Sequence, residues 1–319
     1  MPPFPKPTVD YAYDLAVERR RLRAHRRARA MPRKGPGRLL VGSWNIANFG
    51  LQERRNDDLA LIAELLSWFD VVAVQECREN FADLYQVVHL MGTKYQVLMS
   101  DAGGNNERLV FIYDRRKLGL LDEIGEVSIA PSRAKSVKLE PEGAPFVGFD
   151  RPPYLASFNL TGTPLSVQLV NVHLFFGSPG PADVARRALE VKAVARWAAL
   201  RNQSPYAGAR ELIALGDFNM PKARRDGGNV VYDALTSRGL VTPGHSTVVG
   251  SSIASDNQYD QVAMFPKTTK AWLVDIGVFD FDAVVFKDLW AMGDVKQFQG
   301  YVRYYLSDHR PMWVELGVG

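Results

Sequence analysis

Four carboxylates, two histidines and two asparagines stand where apolar, strand-like runs give way to polar residues. Glu76 follows the run Val71–Gln75, and Asp217 follows Leu212–Leu215. Asp260 precedes Gln261–Phe265, and Asp308 and His309 precede Met312–Leu316. Asn45 lies near the end of Leu39–Ile46, His173 ends Ser166–His173, and Asn219 comes two residues after Asp217. Carboxylates are hard oxygen donors. With few other ligands they suit Mg²⁺ or Mn²⁺, which keep several waters and leave room for a substrate phosphate. Asn45 and Asn219 can complete a coordination shell or bond a phosphate without adding negative charge. A histidine exchanges its proton near neutral pH, and against a carboxylate it becomes a general base for water. A metal opposite it stabilises the charge that develops on a phosphoryl group and its leaving oxygen. One such residue alone is usually a loop cap or a satisfied structural group; it is the joint pattern that points to phosphoester hydrolysis.

Such a pattern needs an open α/β sheet, in which ligands bind where strand ends collect. From Arg38 onward, strands and helices do alternate. The runs named above, with Leu109–Tyr113 and Leu155–Leu160, are short and rich in Val, Ile, Leu and Phe, as buried strands are. Asp57–Phe69 places Leu59, Ile62, Leu66 and Phe69 on one helical face, and Ala182–Leu200 does the same with Val184, Ala188, Val191, Ala195 and Ala198. Residues 130–153 and 219–229 read as surface loops. There is no solenoid-type repeat.

Charge is distributed unevenly. The 319-residue chain carries a net +4, but residues 1–38 hold 11 Lys/Arg against 3 Asp/Glu, a balance of +8. The other 281 residues therefore stand at −4, which equals the four carboxylates above, and a bound divalent cation would offset part of it. Residues 1–37 read as a basic, partly helical arm and linker: MPPFPKP, then ERRRLRAHRRARA, then the breaker PRKGPG. Residues 38–319 read as the catalytic domain. The arm's arginines form a solvated face or tail that adds nonspecific contacts to phosphates or an anionic surface. One cysteine, Cys77, rules out an intrachain disulfide and any zinc site built on two cysteines. No apolar run is long enough to span a membrane, and no secretory leader is visible, so the expected location is cytoplasmic.

The ordered series WNIANFG (44–50), VQE (74–76), NVH (171–173), GDFN (216–219), YDQV (259–262) and SDH (307–309) resembles that of the endonuclease/exonuclease/phosphatase superfamily. The resemblance covers roughly residues 38–317. Each motif alone is weak, whereas six in order are specific. It is strongest to deoxyribonuclease I-like nucleases, through NNERLVFIYDRRKLGLLD (105–122) and FDRPP (149–153).

The resemblance implies a four-layered α/β sandwich, two mixed sheets face to face with helices outside. It implies a metal-dependent endonuclease acting as a monomer, on DNA in preference to RNA. Asn45 and Glu76 would hold one metal, with Asp217, Asn219 and Asp308 at a second metal or the scissile phosphate. The ions would be one or two Mg²⁺ or Mn²⁺, with Ca²⁺ as a structural candidate. His173 and His309 would be the catalytic pair, oriented by Glu107 and Asp260. Arg151, Arg108 and Asn171 would contact phosphate, and Arg78 would enter the DNA minor groove. The family's groove-binding tyrosine falls at Asn105 here, which puts duplex preference in doubt. Abasic-site endonucleases would carry a tyrosine where His173 stands. A phosphodiesterase or phosphatase acting on a lipid or inositol phosphate shares this core and is the alternative. Such an enzyme would need an exposed apolar hairpin, for which Tyr301–Tyr305 and Phe279–Phe281 are candidates. An inactive nucleic-acid-binding scaffold would need a broken motif, and none is broken.

Overall fold

The computed structural model describes residues 3–139, 145–220, 229–245, 247 and 249–318. Its strands are β1 (Arg38–Phe49), β2 (Val71–Cys77), β3 (Tyr95–Met99), β4 (Arg108–Asp114), β5 (Leu118–Glu126), β6 (Tyr154–Leu160), β7 (Ser166–His173), β8 (Glu211–Asp217), β9 (Asp260–Met264), β10 (Leu273–Val278) and β11 (Met312–Gly317). Its helices are α1 (Leu15–Ala28), α2 (Asn56–Leu66), α3 (Ala82–Met91), α4 (Pro131–Ala134), α5 (Pro181–Asn202), α6 (Val230–Thr236), α7 (Pro266–Thr269), α8 (Lys287–Ala291) and α9 (Val295–Tyr305).

One sheet runs β10-β11-β1-β2-β4-β3 and the other β5-β6-β7-β8-β9. Only β1–β2 and β7–β8 pair in parallel; every other neighbouring pair is antiparallel. The period-two alternation of a strand sends Leu39, Val41, Val71 and Ala73 inward, to meet Phe158, Leu169 and Ile213 of the other sheet. The same alternation sends Leu40, Trp44, Val72 and Val74 outward, under Ile62 and Leu66 of α2. Val170, Val172 and Ala214 face Val191 and Ala195 of α5. Two sheets, each covered by helices, make the expected four-layered sandwich. The central strands are buried on both faces, which is why they read as unbroken apolar runs.

Three strands escape the sequence pattern, β3, β5 and β10, and each is the edge of a sheet. An edge strand covers less core; β5 alternates half-buried and exposed along nearly its whole length. Part of each expected loop lies outside the described residues, namely 140–144 and 221–228.

The N-terminal segment is not a solvated tail. Asp14 caps α1, accepting from the amides of Ala16 and Val17, and α1 packs on α2. Leu22 has no exposed surface, and Tyr11 and Met31 join the same core. Much of the basic charge is neutralised internally. Arg23 grips Glu64 through two bonds of 2.7 and 2.6 Å, and His25 (2.8 Å) and Arg29 share Asp280. Lys6 pairs with Glu53 and Arg38 with Glu315, at 2.9 and 2.8 Å, and Arg26 lies over Trp68. Tyr301, Tyr304, Tyr305, Phe279 and Phe281 are also buried, so neither candidate apolar hairpin is exposed.

Candidate active site

The topology gathers the chemistry at one end of the sandwich. The C-terminal ends of the parallel pairs β1–β2 and β7–β8 lie beside the N-terminal ends of the antiparallel β4, β9 and β11. Asn45, Glu76, Glu107, His173, Asp217, Asp260 and Asp308 therefore converge, although 263 positions separate the first from the last. A cavity of about 520 Å³ opens there, lined by Glu76, His173, Asp217, Asn219, Asp308 and His309.

Asp217 sits at the centre. Its Oδ2 is 3.7 Å from His173 Nε2, 3.8 Å from His309 Nε2 and 3.1 Å from Asn45 Nδ2. Gly216 makes this placement possible: its φ is +134°, and a Cβ there would lie 2.1 Å from the Val172 carbonyl oxygen. Each histidine turns its other nitrogen to a carboxylate. His309 Nδ1 is 2.7 Å from Asp260 Oδ2, and His173 Nδ1 is 2.8 Å from Glu107 Oε2. Burial opposes a charge on His309, but Asp260 and Asp217 outweigh it and hold the imidazole well above its ordinary pKa. Burial would likewise raise the Glu107 carboxyl, yet His173, Arg151 and Arg78 bring it down to about 2. Burial drives the Asp308 carboxyl upward.

Glu76 stands at a bulge where β2 breaks register with β1 and β4, with a strained φ of +63°. Asn45 Nδ2 donates to its Oε1 at 2.9 Å and the Asn48 amide to its Oε2 at 2.8 Å. The donor set suits a divalent cation. Four carboxylates share the site, while the buried Asn45 Oδ1 and Asp260 Oδ1 have no hydrogen-bond partner. Asp217, Asp260 and His309 bring one ligand atom each within 4.8 Å of one another, though His309 Nδ1 already meets Asp260.

Four residues expected at the substrate have polar atoms held by other protein groups. Asn171 lies between the sheets, its Nδ2 donating to the carbonyls of Val74 (3.1 Å) and Val110 (3.0 Å) and its Oδ1 accepting from Gln75. Arg151 is buried, donating to the carbonyls of His173 (2.8 Å) and Leu174 (3.0 Å). Its third nitrogen pairs with Asp150 at 3.0 Å, so it steadies the His173 strand end while also lining the cavity. Arg78 is buried too, donating to Asn48 Oδ1 (2.7 Å) and the Asn105 carbonyl, with Glu107 3.4 Å away. It cannot enter a groove from there. Arg108 donates to the Ser100 carbonyl (2.7 Å) and pairs with Asp101, outside the cavity lining. Asn219 does line the cavity, with its Nδ2 held by the Leu174 carbonyl at 2.7 Å.

The cavity also contains residues outside every motif, Phe4, Phe175, Phe176 and Ser252, and two inside motifs that were given no role at the site, Asn105 and Tyr259. Tyr259 could have been found from its place beside Asp260. Phe175 and Phe176 follow His173 at a strand end, where apolar residues are not needed for the core. A second cavity of about 560 Å³ lies beside Ile253, Trp290 and Arg310, and holds neither histidine dyad.

No protein-family model matches the sequence, and no curated protein does. Solved structures do match. An endonuclease/exonuclease/phosphatase family protein from Bacteroides thetaiotaomicron superimposes with a TM-score of 0.57 at 18% identity, over 88% of this chain and 98% of that one. The mannosyl-6-phosphatase Bt3783 of the same species gives 0.55 at 19%, over 88% and 100%. The human Nocturnin catalytic domain, solved with a bound sulfate anion, gives 0.55 at 12%, over 88% and 94%. The chain thus has the fold of the endonuclease/exonuclease/phosphatase proteins.

Proposed function

We propose that the chain is a divalent-metal-dependent phosphodiester hydrolase of the nuclease kind. One observation carries the reading: two carboxylate-backed histidines point their free Nε2 atoms at one oxygen of Asp217 from 3.7 and 3.8 Å. A phosphate placed there would meet a proton acceptor on one side and a proton donor on the other, as in-line displacement requires. His309, held protonated by Asp260 and Asp217, suits donation to the leaving oxygen. His173, backed by Glu107, suits removal of the proton from the attacking water. Glu76, Asn45, Asp308 and Asp217 would hold Mg²⁺ or Mn²⁺, which would offset the phosphate's charge and stabilise the transition state. Arg151 keeps the His173 carbonyl fixed, and Asn45 spaces Glu76 from Asp217.

Nucleic acid is favoured over lipid because the apolar hairpin expected of a membrane-acting enzyme is buried. Duplex binding loses support, since Arg78 is committed internally. The test is cleavage of plasmid and single-stranded DNA in Mg²⁺, Mn²⁺ or EDTA, beside sphingomyelin, an inositol phosphate and mannose 6-phosphate. Wild type, His173→Ala and His309→Ala are compared. Cleavage that persists in EDTA, or in both variants, overturns the mechanism. Turnover of a lipid or sugar phosphate without DNA cleavage overturns the substrate class.

A further inference from the structure

One wall of the cavity is aromatic. Phe176 and Tyr259 meet edge to face with ring centroids 6.5 Å apart, and the Tyr259 ring lies 6.0 Å from that of His309. Phe176 is 47% exposed, so its ring does little for the core. Its loop is nevertheless held from several sides. Buried Arg187 donates to the carbonyls of Phe175 (3.2 Å) and Phe176, and its guanidinium stands 5.5 Å from the Phe176 ring. Glu190 accepts from the Phe175 amide at 3.0 Å, and Arg151 and Asn219 hold the Leu174 carbonyl. Tyr259 is fixed by its carbonyl, which accepts from the Phe218 amide, and by its hydroxyl, which accepts from Asn257. A ring left open to solvent on so rigid a support is prepared to receive a flat partner.

We propose that Phe176 and Tyr259 form a stacking wall for an unstacked nucleobase beside the scissile phosphate. The preferred substrate is then single-stranded or frayed nucleic acid, because a base inside a duplex has no free face to offer. This rests on the nuclease reading and narrows it. Polar residues Asn105, Asp150, Ser252 and Ser255 also line the cavity.

Base–aromatic stacking is sequence-tolerant, and its loss lowers kcat/KM about ten- to a hundred-fold. The experiment compares a thymidine homopolymer with the same backbone built of abasic tetrahydrofuran units, in Mn²⁺, using wild type, Phe176→Ala and Phe176→Leu. Wild type is expected to favour the thymidine polymer by that factor. Both variants are expected to bring the ratio near one, leucine included, since it fills space but cannot stack. Equal rates in wild type, or a preference that survives in Phe176→Leu, overturn the wall. If wild type cleaves neither polymer, the nuclease reading falls. The wall is then decided by fluorescence of a 2-aminopurine oligonucleotide with His173→Ala protein in Mn²⁺. Quenching that Phe176→Leu abolishes supports it, and no quenching, or quenching unchanged by Phe176→Leu, overturns it.

Discussion

Glu107→Gln preserves side-chain shape and removes one charge where two arginines and the His173 imidazole meet. The carboxylate lies 2.8 Å from His173 Nδ1, 3.4 Å from an Arg78 nitrogen and 3.7 Å from Arg151 Nε. The glutamine keeps a polar oxygen beside His173 Nδ1, but an imidazolium formed during turnover loses its counter-ion. One positioned acid or base contributes about 10²- to 10⁴-fold, and most of that is at stake. The expected result is a kcat lower by about 10²- to 10³-fold with KM within about threefold, because the group acts on the reacting proton and not on the bound substrate. Stability should also fall, since removing one side of a buried ionic cluster typically costs about 3–5 kcal/mol. The pH dependence has a definite sign. Glu107 titrates at about 2 in the folded chain, below its ordinary 4.5. Its contribution is therefore fully present above that ordinary value and is lost as pH falls toward the folded value. Urea titrations of wild type and variant should diverge near neutrality and converge as the solution is acidified. A kcat within threefold of wild type would refute the role of the dyad. A stability gap that does not shrink in acid would refute the electrostatic account.

Asp217→Asn should lower kcat by about 10³-fold or more and weaken Mn²⁺ binding by calorimetry, because both histidines converge on the oxygen it alters. Leu22→Ala should cost about 2–5 kcal/mol in urea unfolding, as for a fully buried leucine; a change of only a few tenths would restore the picture of a loose arm. Arg20, Arg27 and Arg33 are exposed and make no ion pair among the described residues. If they touch phosphate, changing all three to Gln should reduce the log–log salt slope of single-stranded DNA binding by about 2, and an unchanged slope excludes them. Burial pushes the Cys77 thiol up, so a disulfide reagent should leave the native protein unmodified and label it only after denaturation.

The site's acids and bases were legible because each sits within four residues of a buried strand, whose apolar run marks where the chain enters or ends its passage through the core. Glu76, His173 and Asp217 all fall on such boundaries. The arginines were not legible in the same way. Arg151 acts on the carbonyls of residues 173 and 174, and Arg78 bridges Asn48, Asn105 and Glu107, partners that no local window contains. A long flexible side chain can serve a phosphate or a buried carbonyl, and only its surroundings decide. Asn171 was ambiguous for a related reason: its alternation phase on β7 turns it between the sheets. Phe176 was hidden by composition, since a phenylalanine after a strand reads as core. The edge strands β3, β5 and β10 were missed because half-covered strands lack an apolar signature, whereas the edge strand β9 is buried along its length and was read.

The charge pattern takes on a different meaning once its partners are known. Glu53, Glu64 and Asp280 of the acidic body pair with arm cations, so the arm's excess is largely a structural complement to the body. Glu76, Asp217 and Asp308 line the cavity and Asp260 holds His309; among the described residues nearby, Arg78 and Arg151 serve carbonyls and Glu107. A phosphodiester entering that cavity meets like charge at close range, and repulsion in a partly buried site is not fully screened by salt. On the proposed reading, a divalent cation would offset that repulsion and so aid binding as well as rate. The basic character of the whole chain says little about nucleic-acid affinity, whereas the proposed metal would lessen the acidic cluster's repulsion of a phosphate.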